Sequence, residues 1–414
     1  MKETKQLEFK ESVTNTFLKT VSAFANYGTG KIVFGIKDDG SLLGIENPSV
    51  TCLDIENRIN DSIDPVPDYS LDVKNSTVIL TVFDGLHKPY FYKSKAYRRS
   101  DTATVEVDRL ELTRLILEGQ NSSFEELVAS EQKLSFSILE KKLIENLNLK
   151  AVTIDTLKTL ELYNETIGYN KAGELLADTN KFNGIDIIRF GDNINILLDH
   201  ETYQNESILI QYDHAISMFR KYYTYEEIKG SKREDISLIP EEAFREAIVN
   251  ALIHRAWDVP ANINVAMFKE KIEITSPGGL PKGMNEEDYL RGGISILRNR
   301  ILGEIFYRLH LIEHFGTGIR RINEFYKGSD VKPVFKVLEN SVRIILPVIK
   351  TTSKLTKDEN TVYSLIKGKS VSSSTITELT GFGKTKTLAI LKRLLADGYI
   401  KSLGVGRGIK YTTE

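Results

Sequence analysis

Glu246, Asn250 and His254 recur every four residues in the stretch EAIVNALIHR. If that stretch is helical, the three share one face. A carboxylate held one turn from an amide can orient a water molecule and bind a hard cation such as Mg²⁺. The same face could equally be a solvated polar surface. Two downstream stretches favour the chemical reading: SPGGLPKG at 276–283, and the glycines Gly316 and Gly318, which open a helical pattern. Free N–H groups at such a helix start can meet phosphate oxygens.

Two other clusters carry cations. FYKSKAYRRS at 91–100 interleaves Lys93, Lys95, Arg98 and Arg99 with Tyr92 and Tyr97. Cations meet phosphates and aromatic rings can stack bases, although a half-packed strand reads the same way. Residues 351–414 hold 11 Lys/Arg against 5 Asp/Glu. Lys384, Lys386, Lys392 and Arg393 fall on the third helix of that segment, and Lys401, Arg407 and Lys410 on a hairpin after it. Two glycine-lysine clusters imitate phosphate-binding loops but fail the spacing: Ala25 and Glu378 stand where the first glycine belongs.

The elements that must position these residues read as α/β with several domains. At 9–25 the apolar residues Val13, Phe17, Leu18, Val21 and Phe24 have helical spacing, and KIVFGI at 31–36 reads as a buried strand ending at Asp38. Further strands are expected near 71–73, 77–83 and 91–98, and a helix over 108–118. Residues 121–237 read as an α/β scaffold, with a helix over 141–162. A helix begins at Pro240, followed by strands at 263–268 and 271–275, a helix at 296–309 and a closing strand at 341–348. The tail reads helix, helix, helix and hairpin, a winged helix-turn-helix whose third helix enters a major groove. The expected domains are 1–120, 121–237, 238–350 and 351–414.

The bulk composition narrows the classes. The 414 residues carry a net charge of −2, so any nucleic-acid-binding surface must be local. A single cysteine, Cys52, excludes disulfides and cysteine metal sites within the chain. No apolar run approaches the length of a membrane span, which points to a cytoplasmic protein without a membrane partner. Homo-oligomerisation is left open.

Residues 240–348 resemble divergent GHKL-type ATP-binding domains, distant relatives of gyrase and histidine-kinase ATPase domains. The resemblance implies an α/β sandwich in which Glu246 polarises water and Asn250 holds Mg²⁺ with ATP. His254 continues that motif, Gly278 and Gly279 lie on the adenine side, and Gly316 and Gly318 lie on the phosphate side. Ser276 stands where such domains carry an adenine-reading aspartate. Residues 3–118, with LEFKES and AFANYGTGKIVFGIKDDGSLLGI, resemble the Schlafen AlbA-type domain. That resemblance implies contact with RNA or DNA, Lys10 and Arg99 included. In some members three acids bind Mg²⁺ or Mn²⁺ for RNA cleavage, and the matching positions here are Glu3, Glu8 and Asp38. Two functions follow as expectations. One is a nucleic-acid-binding regulator of transcriptional-regulator type with a degenerate ATP module. The other is a metal-dependent endonuclease acting on RNA or DNA, in antiphage defence.

Overall fold

Gly30 shows why the first glycine cluster exists. A methyl there would lie 2.4 Å from the Phe24 ring, so only glycine lets the Phe17–Tyr27 helix pack on the Gly30–Phe34 strand. The computed structural model describes every residue except 1, 148, 230–231, 282, 295, 313–315, 350–354, 397, 405–407 and 414, and at 229, 232 and 234 the backbone alone. The chain is mixed α/β and divides into two compact units. One comprises 1–222, 241–327 and 332–346, and the other 223–240, 328–331 and 347–414.

In the first unit, the N-terminal sheet has the order Leu7–Lys10, Gly30–Phe34, Thr77–Val82, Tyr69–Lys74. The first pair is parallel, with Glu8 opposite Ile32, and the others are antiparallel. The helix expected from residue 9 starts instead at Phe17. Pairing with Gly30–Phe34 draws 7–10 into the sheet and leaves Phe9 only 1% exposed, so tertiary pairing overrides the local spacing. The KIVFGI strand ends at Phe34 rather than at Asp38. The antiparallel hairpin Tyr97–Ser100/Ala103–Glu106 follows, with Arg99 opposite Thr104. The helix Arg109–Gly119 comes next, capped by Asp108.

The helix expected over 141–162 is two helices, Ser137–Leu147 and Ile154–Thr159. Thr153 causes the break: its hydroxyl accepts from Thr156 N and starts a new helix. A second, six-stranded sheet has the order Leu197–Tyr203, Ile185–Phe190, Ile263–Met267, Lys271–Pro277, Ser341–Pro347, Val334–Leu338. Ile185–Phe190 runs parallel to Ile263–Met267, so the sheet takes strands from both sides of residue 238. The Glu241–Ile253 helix presents Ala243, Phe244, Ala247, Ile248, Ala251 and Leu252, all buried. Burying each large aliphatic side chain is worth roughly 1.5–3 kcal/mol.

The Arg300–Arg308 helix takes its N-terminal cap from far away in sequence. Glu125, fully buried, accepts from Ile301 N at 2.7 Å and Leu302 N at 3.0 Å. Burial pushes its carboxyl up to about 7 against those two N–H donors.

The second unit contains the hairpin Thr224–Lys229/Lys232–Ser237. It also holds the helices Lys357–Ile366, Ser373–Thr380 and Lys384–Ala396, with an antiparallel sheet of order Val371–Ser372, Lys410–Thr412, Lys401–Leu403. Val362, Ile366, Ile376, Leu391, Leu394 and Ile400 form its core. Among the described residues no helix is long and apolar enough to cross a membrane.

Candidate functional site

The helix Glu241–Ile253 carries Glu246 and Asn250, and His254 follows its end. Against it packs the short helix Gly318–Phe325. The junction is close: a methyl on Gly318 would lie 2.6 Å from Glu246 Oε1 and 2.7 Å from Asn250 Nδ2. Asn250 Nδ2 donates to Glu246 Oε1 at 3.5 Å, and Arg321 Nε lies 3.9 Å from Glu246 Oε2.

Beside this junction opens a cleft of about 810 Å³, its mouth included. Asn250, His254, Ser276, Gly278, Gly279, Gly316 and Gly318 all line it. Glu246 stands just outside the lining, behind Gly318. Apolar walls come from Ala251, Ile274, Ile319, Val342 and Ile344, and a roof from Met284, Tyr289, Ile294 and Ile296. Ser276 is buried, and its hydroxyl donates to Ala251 O at 2.8 Å. Its proton is thereby committed, and its oxygen is left to accept from a ligand.

His254 is half-buried. Burial first, and the Arg298 cation second, push its imidazole down to about 4, so it is neutral at pH 7. Arg298 donates to His254 O at 3.0 Å and Gly279 O at 2.7 Å, holding two rim carbonyls. The unfolded imidazole titrates near 6.5. Between about pH 6.5 and 4 the unfolded chain binds a proton that the folded chain refuses, so stability falls as pH drops through that window. Glu125 works with the opposite sign, since its raised carboxyl holds a proton longer in the folded state. Comparing wild type with His254→Gln cancels that shared contribution. Thermal melts from pH 7 to 4 should therefore show the wild type losing more stability than His254→Gln. Parallel curves would mean that the imidazole is not buried against Arg298.

The N-terminal acids are engaged otherwise than expected. Glu8 is buried, with Lys10 Nζ 2.5 Å from Oε1 and Arg99 Nη1 3.2 Å from Oε2. Arg99 also donates to Thr104 Oγ1 at 3.0 Å and to Thr4 O at 3.4 Å. Glu3 Oε1 accepts from Phe9 N at 2.8 Å. Asp38 is exposed in a turn closed by Gly40 N donating to Lys37 O. Among the described residues no three His, Cys, Asp or Glu side chains are grouped to hold a metal ion. Glu3, Glu8 and Asp38 are therefore not brought together as a metal-binding group in this conformation.

The cations of 91–100 are likewise paired internally: Lys95 with Glu106 at 2.6 Å, Arg98 with Glu111 at 3.1 Å, and Arg99 with Glu8. Lys93 lies 5.4 Å from the Tyr92 ring centre. Tyr92 and Tyr97 are buried in the core and present no ring for base stacking.

In the second unit Lys384, Lys386, Lys392 and Arg393 are all exposed. Lys386 pairs with Asp358 at 2.5 Å and Arg393 with Glu359 at 3.1 Å, both on the Lys357–Ile366 helix. Lys384 and Lys392 make no ion pair among the described residues. Arg407 lies outside the described residues.

Sequence reasoning missed Arg298, Tyr289 and the roof residues, whose roles arise only from the folded loop between 280 and 299. It also misses Glu125, which by sequence reads only as part of a scaffold.

Comparison with known proteins places two regions. Residues 3–108 match the family described as "Schlafen, AlbA_2". Residues 261–346 match the family described as "Putative ATP-dependent DNA helicase recG C-terminal". The second match includes Ser276, Gly278, Gly279, Gly316 and Gly318, while Glu246, Asn250 and His254 precede it. No curated protein matches the sequence significantly. The crystal structure of the DIP2311 protein from Corynebacterium diphtheriae is similar at 17% identity and a TM-score of 0.49, over 99% of this chain and 92% of that one. That likeness is too distant to bear on function. The chain thus joins a Schlafen AlbA-type region to an ATPase-like region.

Proposed function

We propose that this chain binds ATP with Mg²⁺ in the cleft beside Asn250 and binds nucleic acid, acting as a regulatory protein rather than a nuclease. The observation that carries the reading is the gathering of Asn250, Ser276, Gly278, Gly279, Gly316 and Gly318 around one cleft. Asn250 would hold the Mg²⁺ that accompanies the phosphates, and that cation would neutralise their charge. The N-terminus of the Gly318–Phe325 helix would meet the phosphates. The Ser276 oxygen would accept from a base amino group, and neutral His254 adds no charge beside the base. Glu246 would orient water weakly, because Asn250 and Arg321 already share its carboxylate. We read binding, not turnover, as the main activity.

The nuclease alternative loses support because Glu8 serves as the counter-ion of Lys10 and Arg99. In this reading, Glu8 fixes two cations of a phosphate-facing domain instead of holding a metal. We read residues 351–414 as a winged helix that meets duplex DNA through Lys384 and Lys392. Incubating the full chain with duplex DNA and with tRNA, in Mg²⁺, in Mn²⁺ and in chelator, tests both claims. The expected result is retarded but intact nucleic acid, with affinity falling steeply as salt rises. Cleavage that chelator abolishes would overturn the reading in favour of a metal-dependent nuclease. Reversing charge at Lys384 and Lys392 together should flatten the salt slope for DNA by roughly 2. Lys386→Ala should change it less, because Asp358 already holds that ammonium.

A further inference from the structure

The cleft has a roof, and the roof is latched. Between the Lys271–Pro277 strand and the Arg300–Arg308 helix, the chain forms the short helix Glu286–Arg291 and the glycine pair Gly292–Gly293. Met284, Tyr289, Gly292, Ile294 and Ile296 of this segment line the cleft, so a ligand there would pack against the segment. The segment is tied to the phosphate-side helix at one spot. Gly293 N donates to Gly316 O at 2.8 Å. Arg320 donates from Nε to Arg291 O at 3.0 Å and from Nη2 to Gly292 O at 2.8 Å. These two carbonyls are left without helical partners at the end of the Glu286–Arg291 helix, where a cation is favoured.

The glycine pair is built for this contact. Gly292 has φ +62 and Gly293 has φ +105, conformations that other residues adopt rarely. A methyl on Gly293 would lie 2.8 Å from Arg320 Nη2. Arg321, the next residue, is the one beside Glu246. Consecutive arginines on one turn therefore reach the roof and the candidate water-orienting carboxylate.

We propose that Arg320 is a positioning residue that latches the 284–294 segment against the cleft and so sets how long a bound nucleotide stays. Its placement deepens the ATP reading and rests on it for the identity of the ligand. The latch itself exists without ligand, because all three hydrogen bonds lie within the chain.

The test uses the full chain and two readouts. Without ligand, hydrogen exchange of the backbone amides over 286–296 should rise about tenfold or more in Arg320→Ala, with the Glu241–Ile253 helix unchanged. This is the scale expected for losing two hydrogen bonds of ordinary worth. With a fluorescent ATP analogue and Mg²⁺, stopped-flow dissociation should accelerate about tenfold while association changes little. Arg320→Lys, which keeps the charge but not the two-armed donor, should recover only part of the effect. Unchanged exchange over 286–296 in Arg320→Ala would overturn the latch. Faster exchange in Arg320→Ala, together with a wild-type chain that binds no nucleotide, would keep the latch and overturn the ATP reading instead. If Arg320→Ala fails to fold, Gly293→Ala, which crowds the same guanidinium, carries the same two expectations.

Discussion

Replacing Arg99 with alanine should lower the melting temperature of the first unit by roughly 5 °C. Arg99 and Glu8 are both buried, and removing one partner leaves the other as a charge out of water. Breaking such a pair typically costs about 3–5 kcal/mol. Lys10 remains on Glu8, so the lower end applies. At about 1.5 °C per kcal/mol for a unit of more than 300 residues, the shift is near 5 °C. Glu8→Ala should be comparably damaging, because among the described residues Arg99 would then keep only Thr104 Oγ1 and Thr4 O. The double variant should lose less than the two losses added, since no stranded charge remains. Calorimetric melts of the four proteins measure this coupling. An Arg99→Ala shift within about 2 °C would mean that Glu8 is not held as described, and its carboxylate would again be a ligand for metal.

The second large effect concerns Gly318. Gly318→Ala should weaken ATP binding at least about 30-fold, or about 2 kcal/mol at 1.4 kcal/mol per decade. Its methyl would fall 2.6 Å from Glu246 Oε1 and 2.7 Å from Asn250 Nδ2, so those side chains must move. They are the groups the reading assigns to water and Mg²⁺. Gly383→Ala, whose methyl meets nothing within 4 Å, is the control and should bind as the wild type does. Equal affinity of Gly318→Ala and wild type would remove Asn250 from the nucleotide site.

The sequence made some of this legible and hid the rest for physical reasons. Glu246, Asn250 and His254 were visible because helical spacing is local and the apolar stripe beside them is strong. Gly278, Gly279, Gly316 and Gly318 were visible because glycine clusters mark close backbone approaches. The strand Leu7–Lys10 was not, since its pairing with Gly30–Phe34 is a tertiary event that the helical pattern after it obscures. The partners of the basic strand were hidden for the same reason. Arg99 meets a carboxylate 91 residues earlier, and no spacing rule reports that. Lys386 and Arg393 lie on the expected third helix, but the Lys357–Ile366 helix in front of them captures their charges. The Glu125 cap and the Arg320 latch join segments whose proximity only the folded chain creates.

The central claim is that the cleft beside Asn250 takes ATP. Titrating the full chain with ATP in Mg²⁺ in a calorimeter tests it most directly. The account predicts saturable binding at one site per chain, with the heat lost in Gly318→Ala and retained in Gly383→Ala. A wild-type chain that is folded by circular dichroism yet shows no saturable heat up to millimolar ATP would contradict it.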